Sequence, residues 1–390
     1  MEVVAKKLPF ARPKLLYLVT EDWYFCSHRL PIARAARSAG YEVAVATRVQ
    51  NHGEQIRREG FRLVPLRWRR RSLHPWHETR AVVDLLRLYR RERPDIVHHI
   101  ALKPAVYGSL AAKITKVPAT ANTVAGLGYV FTSGELKARI LSPLLRLAIR
   151  SLLNQNNSLL ILQNPDDQKV LSEYCGVRSE KTVLIRGSGV DLKRFVPMPQ
   201  PVGIPRVTMV SRMLWDKGVG ELVEASRRLK QAGVELEITL VGPPDPENPA
   251  SIPESQLRRW ESEGLIEWLG HRSDIEDIWR RSAVAVLPTS YGEGVPKALL
   301  EAAACARPIV ATDVAGCREI VKHEDNGLLV PAKNAGALAE AIHRLVDDPV
   351  LRRRMGERGG ELAAADFSEE TVVEKTLGVY EKLISLRGTS

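Results

Sequence analysis

Short β-branched runs alternate with longer amphipathic stretches along this chain. Residues 14–19 (KLLYLV) read as a buried strand, 30–39 as a helix ended by Gly40, and 41–47 as the next strand. An amphipathic helix follows over 77–91 and a strand over 95–98. The same rhythm returns at 206–210, 235–241, 283–287 and 308–311. Alternating strands and helices predict parallel, doubly wound sheets, and two such blocks predict two Rossmann-like α/β domains. Between the blocks, residues 195–205 carry Pro197, Pro199, Pro201 and Pro205 and read as a connector. The expected division is a first domain at 1–195, a linker at 196–205 and a second domain at 206–366. The last segment, 367–390, holds an amphipathic helix opened by the capping-box-like Ser368-Glu-Glu-Thr.

Composition narrows the class. The chain of 390 residues is 44% hydrophobic and 26% charged, which is globular and argues against disorder or fibres. Its longest uncharged run, 117–134, contains Pro118, Asn122, Gly126, Gly128 and Gly134, so it reads as loop and not as a membrane span. The apolar stretch at 15–19 meets Glu21 and Asp22 at once, unlike a signal peptide. Cys26, Cys175, Cys305 and Cys317 stand far apart, without the spacing of a disulfide framework or a zinc site. These features point to the reducing cytoplasm. Lys plus Arg number 57 and Asp plus Glu 46, and the net charge of +11 favours anionic partners.

Two stretches carry candidate chemistry. In the first, 288–302, a strand ends near Leu287, a glycine-rich loop follows, and Pro296 suits the first turn of a helix. Ligands of open α/β sheets bind at the carboxyl ends of strands, and a helix N-terminus there favours phosphate. Glu293 lies at the loop mouth and Glu301 farther along the helix, so both can border one pocket in different roles. Alone, the pair reads equally well as solvated glutamates. In the second stretch, 209–218, Arg212 and Lys217 follow the first strand of the second block. They can converge on a diphosphate, the arginine as a fork and the lysine as a point charge. A solvated basic turn is the commoner fate of such residues.

Together and in this order, the two stretches resemble the retaining glycosyltransferases of family 4, which have the GT-B architecture. The resemblance runs over nearly the whole chain. It includes Gly189-Val-Asp191 with Phe195, Ser211-Arg212 with Lys217-Gly218, Asp274-Ile275, Glu293 with Glu301, Asp313-Val-Ala-Gly316, Asn326-Gly-Leu-Leu-Val330-Pro, and Phe367-Ser-x-Glu370. It implies two Rossmann-like domains facing across a cleft, with a terminal helix that crosses back to the first. It also implies roles. Arg212 and Lys217 would bind the donor diphosphate, and Glu293 the donor sugar near the reacting centre. Gly294, Val295 and Pro296 would line sugar and phosphates, and Glu301 would hold the ribose. Arg272 would border the base. The donor would be a nucleotide sugar, UDP-linked, carrying a hexosamine or hexose. Members usually need no metal, and this sequence has no Asp-x-Asp. No cofactor is expected beyond the donor. Retention is thought to proceed by front-face attack, with the leaving phosphate taking the acceptor's proton.

The first domain would bind the acceptor. Candidates are His28 and Arg29 at a helix start, His98 or His99 at a strand end, Lys103, and the loop glycines Gly126 and Gly128. The arginine serves equally as half of a structural ion pair, and one histidine of the two as a core residue. The sequence departs from the family where a donor-sugar histidine is usual: Ala125 stands there. Trp23-Tyr-Phe25 replaces the usual paired glycine of the first loop. Both departures resemble members that build polyprenyl-diphosphate-linked oligosaccharides, including N-acetylgalactosaminyl transferases. A lipid-linked acceptor implies peripheral attachment at the inner face of the membrane. Residues 67–76 mix arginines with Trp68 and Trp76, and 138–153 are amphipathic and basic, as segments that dock on anionic leaflets are.

Other classes fit less well. A dinucleotide-dependent oxidoreductase lacks its third glycine, because Phe131 and Leu192 follow Gly126-x-Gly128 and Gly187-x-Gly189. A nucleic-acid-binding protein rests on charge alone, without a recognisable module, so no nucleic acid is expected. A glycosyltransferase with a soluble acceptor is the nearer rival.

Overall fold

The computed structural model describes residues 12–68, 75–127 and 136–386. They form two compact units. The first holds the described residues up to 188 together with 370–386, and the second holds 189–369.

The first unit is built on a seven-stranded parallel sheet. Its strands are β1 (Lys14–Glu21), β2 (Glu42–Arg48), β3 (Arg62–Pro65), β4 (Ile96–Ile100), β5 (Ala119–Val124), β6 (Ser158–Leu162) and β7 (Thr182–Leu184). The order is β3-β2-β1-β4-β5-β6-β7. Helices cover both faces, which is why strands such as β1 are apolar at successive positions. Period-two alternation still sorts the side chains. Leu15, Tyr17 and Val19 join one core with Phe25, Ile32 and Tyr380, while Leu16 and Leu18 join another with Leu85 and Tyr89. Tyr380 comes from the last helix, Glu369–Ser385, which also buries Val372, Val379 and Leu383 against the first of these cores.

The second unit carries a six-stranded parallel sheet. Its strands are β8 (Arg206–Val210), β9 (Glu237–Val241), β10 (Glu267–Trp268), β11 (Val284–Leu287), β12 (Ile309–Thr312) and β13 (Gly327–Val330), in the order β10-β9-β8-β11-β12-β13. The chain leaves in one direction from β1 and β8 and resumes on their other side with β4 and β11. Each sheet therefore has a switch point, β1/β4 and β8/β11, where a crevice opens at the carboxyl ends. The pattern of hydrophobic runs predicts β1, β2, β4, β8, β9, β11 and β12; it leaves out the interior strands β5 and β6 and the edge strands β3, β7, β10 and β13.

The expected linker differs from what is found. The chain enters the second unit at Gly189, ahead of the prolines. Val190 and Phe195 lie in the second core, and Val190 bridges to Ser368 in parallel. The proline segment is held to the same unit by the fully buried Arg307. Its guanidinium donates to the carbonyls of Met198 (2.6 Å), Pro199 (2.8 Å), Ser282 (3.1 Å) and Cys305 (2.9 Å). Proline carbonyls unused by regular structure need donors, and one arginine supplies several. Local composition near 197–205 carries no sign of a partner a hundred residues away.

Candidate donor and acceptor sites

The second switch point gathers most of the residues singled out for the donor. Arg212 follows β8, and Lys217 closes the short turn Trp215–Lys217. The β11 loop lies beside that turn because Gly218 adopts φ +80° and a side chain there would meet Pro288 O at 2.0 Å. Ser290 N donates to Asp216 O at 2.9 Å. From the other side, Gly316 (φ +83°) backs the loop so closely that a Cβ would meet Gly294 O at 2.2 Å. Glu293 N donates to Ala315 O at 3.2 Å. Three strand ends thus hold Glu293 in one place.

Both candidate cations are engaged by carboxylates. The Lys217 ammonium donates to Glu293, and an Arg212 guanidinium nitrogen donates to Asp245. Lys217 also lies 5.6 Å over the Tyr291 ring. Burial pulls its pKa down, but Glu293 and Tyr291 outweigh that and leave it above the ordinary value, so Lys217 is an ammonium. The two ion pairs bring two cations and two carboxylates to the same strand ends. Cys317, fully buried, belongs to it as well: burial, then Glu293, pushes its thiol far up and keeps it neutral.

Pro296 caps the helix Lys297–Ala304 and so stands just ahead of its first turn. Glu301 lies on that helix, its side chain 12% exposed, with Lys297 Nζ at 4.0 Å. Burial pushes its pKa up to about 7 from 4.5, against the pull of Lys297 and Arg194. Arg194 itself donates to Glu276 at 3.0 Å and to Ser273 O at 2.9 Å. Arg272 is not part of the Lys217 cluster. It is turned to Asp274, with Nε donating at 2.8 Å.

The raised Glu301 has a consequence for stability. The folded protein keeps a proton that the unfolded chain releases between pH 4.5 and about 7. Stability therefore falls as pH rises through that window. Glu301→Gln abolishes this slope. Relative to wild type it gains about 3 kcal/mol between pH 4.5 and pH 8 in urea unfolding. Parallel pH profiles of the two proteins would contradict the assignment.

In the first unit the histidines correct the sequence reading. Neither lines an opening: His98 and His99 are both 0% exposed, on opposite faces of β4. His98 bonds Tyr380 OH (2.6 Å) and Thr123 Oγ1 (2.7 Å), and Tyr17 OH joins Tyr380 OH at 3.0 Å. His99 bonds Asn122 Oδ1 (2.7 Å) and Tyr89 OH (2.9 Å). Burial lowers both, His99 to about 4, and holds them neutral. Two adjacent imidazoles in a fully buried strand find partners in the core because each face supplies hydroxyls, a fact invisible in the dipeptide.

Three more candidates are already engaged. Lys103 pairs with Glu78 at 2.8 Å beneath the Trp68 and Tyr107 rings. The backbones of Gly126 and Leu127 donate to the Asp167 carboxylate, the latter at 3.2 Å. Gly128 lies outside the described residues. His28 stacks on Tyr24 with centroids 4.2 Å apart. Arg29 is 3% exposed, at the junction of the helices Asp22–His28 and Leu30–Ser38.

Of the basic surface, Trp68 is a core residue, whereas Trp76 is 76% exposed. A groove of about 460 Å³ is lined by Trp68, Arg67, Arg80, Arg87 and Arg91, with Asp84 among them. In the helix Leu136–Leu153, Leu147 is exposed while Ile149 and Leu153 are buried. Among the described residues no helix is long and apolar enough to cross a membrane. Sequence reading missed Asp245, Tyr291 and Cys317. Asp245 was within reach of the rule that found Arg212, because it follows β9, the strand next to β8.

Known proteins share this layout. Residues 204–348 match the family described as Glycosyl transferases group 1, and residues 14–164 match Glycosyl transferase 4-like. The chain is 30% identical over 372 residues to the N,N'-diacetylbacillosaminyl-diphospho-undecaprenol alpha-1,3-N-acetylgalactosaminyltransferase of Campylobacter jejuni, covering 91% of this chain and 95% of that one. It is 26% identical over 285 residues to the Escherichia coli UDP-Gal:alpha-D-GlcNAc-diphosphoundecaprenol alpha-1,3-galactosyltransferase, covering 70% and 72%. In structure it resembles sucrose-phosphate synthase from Thermosynechococcus elongatus (TM-score 0.78, 20% identity, 96% and 100% covered). It also resembles Anabaena HepE in complex with UDP (TM-score 0.75, 19% identity, 95% and 100% covered). These structural likenesses show the fold, two parallel-sheet α/β units of GT-B type.

Proposed function

This chain belongs to the group 1 and 4-like glycosyltransferases, and we propose that it moves a hexosamine or hexose from a UDP-linked donor to a polyprenyl-diphosphate-linked saccharide, with retention and without a metal. The observation that carries the donor half is the Lys217–Glu293 and Arg212–Asp245 cluster at the β8/β11 switch point. Breaking the bond from an anomeric carbon to a diphosphate builds negative charge on the leaving oxygen. Lys217, Arg212 and the N-terminus of the helix Lys297–Ala304 stabilise that charge where it develops. They take the part that a divalent cation plays in other transferases. Glu293 orients the Lys217 ammonium and reaches the sugar, and Glu301 accepts from the ribose hydroxyls.

The acceptor half is supported by the relatives, whose names specify diphospho-undecaprenol sugars. The exposed Trp76 and the four-arginine groove suit contact with an anionic leaflet from the cytoplasmic side. The test is transfer from a panel of UDP-sugars to a prenyl-diphosphate disaccharide in anionic vesicles, with and without chelator. Product with the donor's anomeric configuration, unaffected by chelator, is expected. Protein on the vesicles should be released by high salt. Inversion, loss of activity with chelator, or transfer confined to soluble sugars would each overturn the corresponding part.

A further inference from the structure

The first unit contains a buried cation with no carboxylate paired to it among the described residues. Arg29 is 3% exposed, and its Nε and Nη2 atoms are sealed from solvent without a hydrogen-bond partner. No carboxylate among the described residues forms an ion pair with it. The titratable groups that feel its charge are Tyr17, His98 and Tyr380, and burial keeps all three neutral. A buried guanidinium without a counter-charge is costly, and proteins seldom keep one idle.

Its position suggests what it waits for. Arg29 follows β1 and caps the nine-residue helix Leu30–Ser38, whose N-cap makes no side-chain hydrogen bond. Its charge is felt by Tyr17 of β1 and His98 of β4, the two strands that form the switch point of the first sheet. Across that point, β4 ends in Ala101 at φ +87° and ψ 162°, a conformation that residues other than glycine rarely hold. An unpartnered arginine at a helix N-terminus thus acts on β1 and β4, the two strands that flank the first sheet's own switch point. We propose that Arg29 is the seat of an oxyanion of the acceptor's diphosphate. This rests on the reading of a prenyl-diphosphate acceptor and adds the residue that recognises its charged part. Arginine suits the task because its fork matches paired phosphate oxygens.

The test uses Arg29→Met and Arg29→Lys in the full chain. Without ligand, Arg29→Met melts roughly 3–10 °C above wild type, because an uncompensated buried charge is gone. A lower melting temperature would mark Arg29 as a structural support and overturn the proposal. Farnesyl diphosphate binding is then measured with UDP saturating, so that the donor cluster is filled. Its affinity should fall roughly 10- to 150-fold in Arg29→Met and less in Arg29→Lys, while farnesol binds all three proteins alike. Equal loss for farnesol, or none for the diphosphate, would refute it. With transferable substrates, KM for a diphosphate-linked saccharide rises in Arg29→Met while the same saccharide on a neutral alkyl chain is unaffected. If wild type transfers to neither, the function reading fails, and the binding comparison still decides the role of Arg29.

Discussion

Replacing Lys217 with methionine lowers kcat by about 10²–10³-fold while the second sheet stays folded. The methionine keeps the length of the side chain over Tyr291 and removes only the ammonium. In the proposed reaction that ammonium meets the charge that grows on the leaving diphosphate, so its loss appears mainly in kcat. Removing it also leaves the largely buried Glu293 carboxylate without its Lys217 partner, so some stability is lost. Unfolding curves recorded beside the kinetics separate the two effects. Turnover within a few-fold of wild type would take Lys217 out of the site.

Glu293→Gln is expected to cost about 10²-fold in kcat with little change in volume. The amide cannot hold the Lys217 ammonium as the carboxylate does, and Lys217 loses the partner that now keeps its pKa up. The double variant Lys217→Met/Glu293→Gln should be little slower than Lys217→Met alone, because one residue acts largely through the other. Strictly multiplicative losses would show that the two residues work independently.

The parts of this site that follow from chain order were legible in sequence. A strand, a glycine-rich loop and a helix after Leu287 place Glu293 and Glu301 at a carboxyl edge, and Arg212 and Lys217 follow the first strand of the same sheet. The topology brings them together at β8/β11. What escaped depends on contacts between distant segments. Asp245 meets Arg212 from the β9 loop, and Arg307 fixes a proline segment that composition marks as a linker. His98 and His99 look like cleft residues by position, yet alternation along β4 sends one to each buried face, where Tyr380 and Tyr89 wait. Tyr380 arrives from the far end of the chain, beyond any local signal. Other strands were hidden for local reasons: β7 and β10, of three and two residues, are too short for periodicity to register, and β5 (ATANTV) carries Thr120, Asn122 and Thr123 although it is buried throughout.

The unliganded ion pairs give the account its sharpest consequence. Arg212 and Lys217 are paired with Asp245 and Glu293, and each carries more N–H groups than that one pairing uses, so both can also reach a bound diphosphate. A structure of the protein with UDP tests this most directly. Phosphate oxygens within hydrogen-bond distance of Arg212 and Lys217, with the ribose against Glu301, are what the account predicts. A nucleotide bound away from the β8/β11 edge, touching neither Arg212 nor Lys217, would contradict it.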